Sequence, residues 1–136
     1  MFFLVSACML LACRPAKKQA GCDQFKTGRF FYIVRGTGHK VLVERNDSIQ
    51  TETDQVNHLV MKQRFIWMDS CGYKLLFISE SGLTEKRDPG MQFWIDSMRQ
   101  YPLQTEILSF RDDYYIFETR TVLKDYVLKD TMWVQP

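Results

Sequence analysis

The stretch His58–Met68 (HLVMKQRFIWM), followed by Tyr73–Glu80 (YKLLFISE), decides the fold class of this chain. In the first run every second position is largely apolar, as at Leu59, Met61, Phe65 and Trp67. Lys62 and Arg64 occupy the opposite face, and alternation with a period of two is typical of a half-buried β-strand. The turn at 69–72 is too short for a parallel crossover. The two runs therefore predict an antiparallel hairpin.

Working outward, similar runs recur on both sides of this hairpin, separated by turn signals rich in Gly, Asn and Asp. These runs are Arg29–Arg35, Lys40–Arg45, Ile49–Asp54, Leu103–Phe110, Tyr114–Val122 and a closing pair near Tyr126–Leu128 and Thr131–Val134. The sequence therefore predicts an all-β fold, an antiparallel meander of about eight strands. Closure into a small lipocalin-like barrel removes the sheet edges, and a two-sheet sandwich is the alternative.

One segment follows a helical period instead. Asp88 is a suitable N-cap, and Pro89 suits the first helical position. Apolar side chains then recur at helical spacing, at Met91, Trp94, Ile95, Met98 and Tyr101. Pro102 ends the pattern. We expect one helix near residues 89–101, covering one opening or face of the sheet.

The first residues of the chain predict export and attachment to a membrane. Residues 1–12 (MFFLVSACMLLA) are uncharged, too short to span a bilayer and the right length for a signal-peptide core. Leu10-Leu11-Ala12-Cys13 resembles the bacterial lipobox, in which a small residue precedes the cysteine that is lipidated. The predicted organisation is a signal peptide (1–12), a lipidated tether (13–22) and a single β domain (23–136). Lipidation at Cys8, or an ordinary cleaved signal, is the alternative.

Lipidation of Cys13 implies a protein of the bacterial cell envelope, held on a membrane by its lipid anchor and facing the periplasm or the cell surface. Two or more acyl chains anchor a protein stably. With Cys8 removed and Cys13 lipidated, Cys22 and Cys71 remain, and an oxidising compartment lets them pair. A disulfide closing a loop of roughly 50 residues stabilises a fold by about 4 kcal/mol. Two free thiols are the alternative.

Charge and motif content exclude several classes of function. The net charge is +2 with both signs interspersed, which argues against a nucleic-acid partner. The cysteines and histidines lack metal-ligand spacing, so neither a metal site nor a cofactor is expected. His39 and His58 have no nucleophile at a recognised spacing, and both are expected to be solvated. We expect no enzyme. The strand carboxylates are expected on the polar faces, paired with Lys62, Arg64 or Arg120; they are Glu52, Asp54, Glu106 and Glu118.

Polar residues fall among the presumed inward positions, namely Thr51, Thr53, Gln63, Thr105 and Thr119. Beside aromatic side chains they are suited to line a small cavity. The candidate lining residues are Gln63, Phe65, Trp67, Tyr115 and Phe117. Two functions follow: a non-catalytic protein or envelope interaction module, or a carrier or sensor of a small apolar ligand. An open interior of a few hundred Å³ favours the carrier, whereas a filled interior with an exposed apolar patch favours the interaction module.

Three stretches carry a family resemblance: Cys22–Phe30 (Cys-x-x-Phe-x-x-Gly-x-Phe), Arg45–Glu52 (RNDSIQTE) and Trp67–Leu75 (WMDSCGYKL). Together they resemble a family of small uncharacterised bacterial envelope proteins. That resemblance implies the paired cysteines and the β-sheet but no activity. Some members carry a topoisomerase IV label, which a chain this short does not fit. Gly28-x-Phe30 before a β-meander is also similar to the opening of lipocalins, which favours the barrel.

Overall fold

The computed structural model of the chain describes residues 21–68, 71–84, 86, 87, 89–122 and 127–136. It has a short 3₁₀ turn (Cys22–Phe25), eight strands and one helix within these residues. The strands are β1 (Gly28–Ile33), β2 (Lys40–Arg45), β3 (Ile49–Asp54), β4 (Val60–Met68), β5 (Gly72–Ser81), β6 (Leu103–Phe110), β7 (Tyr114–Arg120) and β8 (Val127–Val134), and the helix α1 (Pro89–Gln100) lies between β5 and β6. The predicted all-β class with one helix is confirmed.

The eight strands form a closed barrel in sequence order, and every neighbouring pair is antiparallel. The barrel is closed by β1 and β8, whose paired positions are Phe30 with Val134 and Phe31 with Trp133. A backbone bond from the Gln135 N–H to the Arg29 carbonyl, 2.9 Å long, extends this seam. Closure gives every strand two neighbours, and it decides for the barrel over the sandwich.

The end of the chain differs from the sequence expectation. Two short runs near Tyr126–Leu128 and Thr131–Val134 were expected, but the structure has the single strand β8 (Val127–Val134). Lys129 and Asp130 interrupt the apolar pattern, and yet both pair with β7 in the ladder. Backbone pairing does not depend on side-chain polarity, so a polar interruption does not end a strand whose backbone is paired with its neighbour, here β7.

The helix occupies a gap in the barrel wall. β5 pairs with β6 only from Gly72 to Leu75, although β5 continues to Ser81. α1 packs on β5 and buries Ile95 and Met98. The expected helix is thus confirmed to within one residue. No helix in the described part of the chain combines the length and the apolar character needed to cross a bilayer.

The 3₁₀ turn Cys22–Phe25, which we call the plug, packs into the core at the end of the barrel that holds the β4–β5 turn. Phe25 is buried, and its ring centroid lies 4.8 Å from that of Tyr115. Cys22 and Cys71 form a disulfide with a Cα–Cα distance of 5.4 Å, which confirms the expected pairing. The plug is therefore joined covalently to the β4–β5 turn. The predicted signal peptide and Cys13 lie outside the described residues.

The faces of β3 are the reverse of the expected ones. Ile49, Thr51 and Thr53 were placed inward, but it is Gln50 and Asp54 that are buried. The cause is the register of the β2–β3 hairpin, in which the paired positions are Val41 with Asp54, Val43 with Glu52 and Arg45 with Gln50. Directly opposed residues share a face, so the inward valines of β2 bring the polar residues of β3 into the barrel.

Candidate functional site

The centre of the barrel holds a buried arginine. Arg45 is the last residue of β2 and is only 4 % exposed. Its Nη1 donates to the Phe25 carbonyl of the plug (2.8 Å), and its Nη2 donates to the Tyr115 hydroxyl (3.1 Å). Its Nε and Nη2 also donate to Gln50 Oε1, at 2.9 and 2.6 Å. These bonds explain how a guanidinium is accommodated away from water.

Aromatic rings surround the same guanidinium. The Arg45 Cζ atom lies 4.6 Å from the ring centroids of Phe65 and Tyr73, and 5.0 Å from that of Phe30. The negative faces of aromatic rings attract a cation, most strongly where water is excluded. Burial raises the pKa of Tyr73 well above its ordinary value, so Tyr73 is neutral at physiological pH. The rings thus provide an uncharged shell that stabilises the cation.

The negative charge that balances Arg45 belongs to Glu52, and the side chain of Gln50 connects the two. No carboxylate of the described residues lies within 4.0 Å of Arg45. Gln50 accepts from Arg45 through Oε1 and donates through Nε2 to Glu52 Oε1 at 2.6 Å. Tyr32 donates to the other oxygen of Glu52 at 2.8 Å. The buried Arg45 and the half-buried Glu52 therefore form an ion pair bridged by a neutral amide.

Burial raises the pKa of Glu52, while its bonds from Tyr32 and Gln50 and the charge of Arg45 lower it; the net direction is upward. Burial likewise raises the pKa of Tyr32 well above the ordinary range, with the adjacent Glu52 adding to the effect. Glu52 was expected on the polar face and paired across strands with a lysine or arginine. That expectation is wrong, because the hairpin register places Glu52 inside.

A second glutamine extends this network toward the helix. Gln63 is on β4, directly opposite Gln50, and is 2 % exposed. Its Oε1 accepts from Gln50 Nε2 at 3.2 Å. Its Nε2 faces two methionine sulfurs, Met61 Sδ at 3.5 Å and Met98 Sδ at 3.2 Å. The network therefore runs from the plug, across the barrel, to the inner surface of α1.

The five residues expected to line a cavity come together only in part. Gln63, Phe65, Tyr115 and Phe117 are buried inside the barrel. Trp67 is half-buried near the plug and stacks on Tyr73, with Lys26 5.5 Å from its ring centroid. The rings contact one another directly, as in the 5.1 Å approach of Phe65 to Tyr73. The space between these residues is filled by their own side chains.

Two open depressions border the barrel among the described residues. One, of about 360 Å³, is lined by Arg29, Glu44 and the buried Arg45, and the other, of about 230 Å³, is lined by Met68 and Gln104. The interior phenylalanines and tyrosines line neither of them. Among the described residues, no group of three or more His, Cys, Asp or Glu side chains is placed to hold a metal ion.

His39 is not the solvated residue that we expected. It is half-buried, and its Nδ1 lies 3.0 Å from Asp54 Oδ2. Asp54 Oδ1 accepts the backbone N–H groups of Val56 and Asn57, which fixes the β3–β4 turn. Burial raises the pKa of Asp54, but these N–H bonds and His39 outweigh it and lower the pKa below its ordinary value. The pair has a structural role at the turn. His58 is exposed, as expected.

Of the remaining carboxylates, Glu118 pairs with Arg120, but both residues lie on β7, so the pair is within one strand and not across strands as expected. Glu80 at the end of β5 joins the helix to the barrel. It accepts from Arg87 Nη2 and from Arg99 Nη2, each at 2.7 Å. We call Glu80, Arg87 and Arg99 the ionic latch. It fixes both ends of α1 on β5.

Aromatic side chains also form a patch on the outer wall, which we call the outer aromatic face (Phe31, Tyr114 and Trp133). The Trp133 centroid lies 5.1 Å from that of Tyr114 and 6.5 Å from that of Phe31. Trp133 is 39 % exposed, and Ile33 on the adjacent strand is 42 % exposed. The ammonium group of Lys40 lies over Phe31, 4.2 Å from its centroid. This patch spans β7, β8 and β1 next to the closing seam.

Arg45 was not predicted as a central residue, although the alternation of β2 contains a signal for it. Arg45 is in phase with Val41 and Val43, so alternation alone places it on the inward face of β2. The chain matches no protein-family model, no curated protein and no solved structure. The resemblance to envelope proteins therefore stays a prediction from the motifs.

Proposed function

We propose that this protein is a non-catalytic interaction module of the bacterial envelope, tethered to a membrane through Cys13, that binds a partner protein with its outer aromatic face. The observation that carries the proposal is the half-exposed Trp133 between Phe31 and Tyr114. Large aromatic side chains in a solvent-exposed cluster are typical of the energetic centres of protein interfaces.

The interior supports a binding role over catalysis. Its two charged groups are each occupied by structural contacts: Arg45 with the plug and Gln50, and Glu52 with Tyr32. Catalytic sites need reactive groups that are open to a substrate, whereas in the depression beside β2 Arg29 pairs with Glu44 and Arg45 is held by Gln50 and the plug. The filled interior together with an exposed apolar patch is the combination that favours an interaction module.

The charges around the outer aromatic face indicate the chemistry of the partner. Lys40 lies over Phe31, and Lys129 extends from β8, the strand of Trp133. Neither lysine forms a salt bridge with any of the described residues. We therefore propose a partner surface with an apolar centre and acidic groups at its rim.

The test is site-specific photo-crosslinking in bacterial cells. A photoreactive amino acid is placed at Thr131, next to Trp133 on the outer side of β8, and in a second protein at Lys62, on the outer side of β4. We expect one reproducible crosslinked protein from position 131 and none from position 62. Equal products from both positions, or none from position 131, would contradict the proposal.

Matched substitutions identify the contacts. Trp133→Ser is expected to remove the crosslink and to weaken binding of the purified partner by at least about tenfold. Ile66→Ser is the control, since Ile66 is similarly exposed (42 %) on the wall formed by β4. Equal effects of the two substitutions would show that general surface hydrophobicity, and not the outer aromatic face, causes the association.

The tether is tested separately. Cys13→Ala is expected to abolish metabolic labelling with a fatty-acid probe and to release the protein from the membrane fraction. Cys8→Ala is the control and should leave labelling unchanged. Persistent labelling of the Cys13→Ala protein would refute the lipid anchor without affecting the outer aromatic face. The carrier role left open by the sequence depends on whether the interior opens.

A further inference from the structure

The buried amide of Gln63 has donors without strong acceptors. Its Nε2 donates only to the sulfurs of Met61 and Met98 among the described residues. A thioether sulfur is a weak acceptor, whereas a carbonyl or carboxylate oxygen is a strong one. Gln63 is 2 % exposed, so water does not satisfy these donors instead. Its donors are therefore satisfied only weakly, and a stronger acceptor placed beside them would be favoured over the sulfurs.

The direction of this amide is fixed by the arginine. Arg45 can only donate, so it holds the Oε1 of Gln50 toward itself. Gln50 Nε2 must then point away, toward Glu52 and Gln63. Gln63 accordingly turns its Oε1 to Gln50 and its Nε2 to the methionines. Exchanging the two ends of the Gln63 amide would bring two NH₂ groups together, so the donor is directed toward Met98 of α1.

The element that covers this donor is not part of the barrel wall. α1 lies where β5 has no pairing with β6, and no sheet hydrogen bonds hold it in place. It is held by buried side chains such as Ile95 and Met98 and by the ionic latch. Contacts of this kind separate without breaking a β-ladder. Met98 itself is unbranched and flexible, which makes it easy to displace.

We propose that α1 is a lid over a binding site for a slender apolar molecule with a neutral carbonyl oxygen, a fatty acyl amide or ester, and that this oxygen replaces the Met98 sulfur as the acceptor of the Gln63 Nε2–H group. The inference goes beyond the outer aromatic face and does not depend on it. When the lid lifts, Met98 leaves the space beside Gln63. The apolar body of the ligand then lies against Met61 and Phe77.

The charges favour a neutral ligand. Arg45 is balanced by Glu52 through Gln50, so no unpaired positive charge is left for a carboxylate. A carboxylate would have to give up its hydration without gaining an ion pair. An ammonium group would present donors to the donor of Gln63. A carbonyl oxygen accepts from Gln63 and carries no charge to be desolvated.

The test compares three probes that share one chain: decanamide, decanoate and decylamine. The full chain is purified in cholate, which has no unbranched alkyl chain to compete, and binding is followed by tryptophan fluorescence, since Trp94 lies on α1. We expect decanamide to bind at least about tenfold more tightly than either charged probe. Equal binding of all three probes, or no binding of decanamide, would overturn the proposal.

Variants locate the site. Gln63→Leu is expected to weaken decanamide binding about tenfold, whereas Gln104→Leu, on the exposed outer wall, should leave it unchanged. Met98→Ala is expected to tighten binding several-fold, because the side chain that competes for the donor is gone. A purely structural role of Met98 predicts the opposite, a loss of binding. Unchanged binding in Gln63→Leu, or loss of binding in Met98→Ala, would refute the site.

A direct signal keeps the test decisive if Gln63→Leu fails to fold. The side-chain ¹⁵N–¹H resonance of Gln63 is expected to move downfield when decanamide is added, since a strong acceptor replaces a sulfur. Glu80→Gln, which weakens the ionic latch, should speed the association of decanamide at equal fold stability. An unmoved Gln63 resonance at saturating decanamide would place the ligand elsewhere and reject the lid.

Discussion

The ion pair of Arg45 and Glu52, bridged by the buried Gln50, makes a quantitative prediction about stability. Arg45→Met keeps most of the side-chain volume, so it leaves only a small cavity. It removes the donor from Gln50, from the Tyr115 hydroxyl and from the Phe25 carbonyl, and it leaves Glu52 without its counter-charge. We expect Arg45→Met to lower the free energy of unfolding severely.

The magnitude follows from these contacts. Removing one member of a buried charge pair costs about 3–5 kcal/mol, most of it from the charge and the acceptors left behind. A typical domain is stable by about 5–15 kcal/mol, so Arg45→Met consumes a large part of the total. Arg45→Met combined with Glu52→Gln leaves no unpaired charge. The double variant is expected to be more stable, by at least about 1 kcal/mol, than the sum of the single effects predicts.

The assay is urea unfolding followed by circular dichroism, with all four members of the cycle measured at the same pH. Arg64→Met, on the exposed side of β4, is the control and should change stability by less than about 0.5 kcal/mol. Because burial raises the pKa of Glu52, lowering the pH protonates it and should reduce the cost of Arg45→Met. Additivity of the two single effects, within about 0.5 kcal/mol, would refute the bridged pair.

Three further predictions concern the plug and the turns. Cys22→Ser with Cys71→Ser should lower the free energy of unfolding by about 4 kcal/mol in urea, and reductant should bring the parent chain to the same midpoint. The carboxyl group of Asp54 has a lowered pKa, so it stabilises the fold at pH values above 3.8, its ordinary pKa, and this stabilisation is lost as the pH falls through the lower pKa of the folded state. Asp54→Asn should remove this pH dependence of the urea unfolding midpoint. Gly82→Ala should cost more than Gly36→Ala: both have positive φ, but only at Gly82 does a Cβ meet a backbone oxygen at 2.5 Å. Equal urea midpoints of these two glycine variants would contradict the clash.

Local pattern was sufficient for most of the fold. Alternation located seven of the eight strands close to their observed bounds, and the Asp88-Pro89 start and the helical spacing located α1. These features depend on backbone preference and on one buried face, both of which a short window of sequence contains. The disulfide could be predicted for another reason. With Cys8 assigned to the signal peptide and Cys13 to the lipid anchor, only Cys22 and Cys71 remained to pair.

Local pattern did not predict which residues of the barrel interior contact one another. The rule that apolar residues face inward placed Thr51 inside and Glu52 outside, since β3 has too few apolar residues for the rule to decide. The pairing of β2 with β3 decides it, because Val43 opposes Glu52. The contact of Gln63 with Met98 joins residues 35 positions apart on a strand and a helix. No local pattern encodes such a contact, so the candidate site emerged only from the three-dimensional arrangement.

The disulfide at the plug also determines how the domain responds to mechanical load. A pull on residue 21 reaches the fold at Cys22, and the Cys22–Cys71 bond passes part of that force directly to the tip of the β4–β5 hairpin. β1 cannot be peeled from its first residue unless that tip moves with it. The narrow junction with β8, which has only two paired positions, is thereby shielded from shear. If the domain is tethered to a membrane through its N-terminal segment, as proposed, the disulfide would help it to stay folded when force acts on that tether.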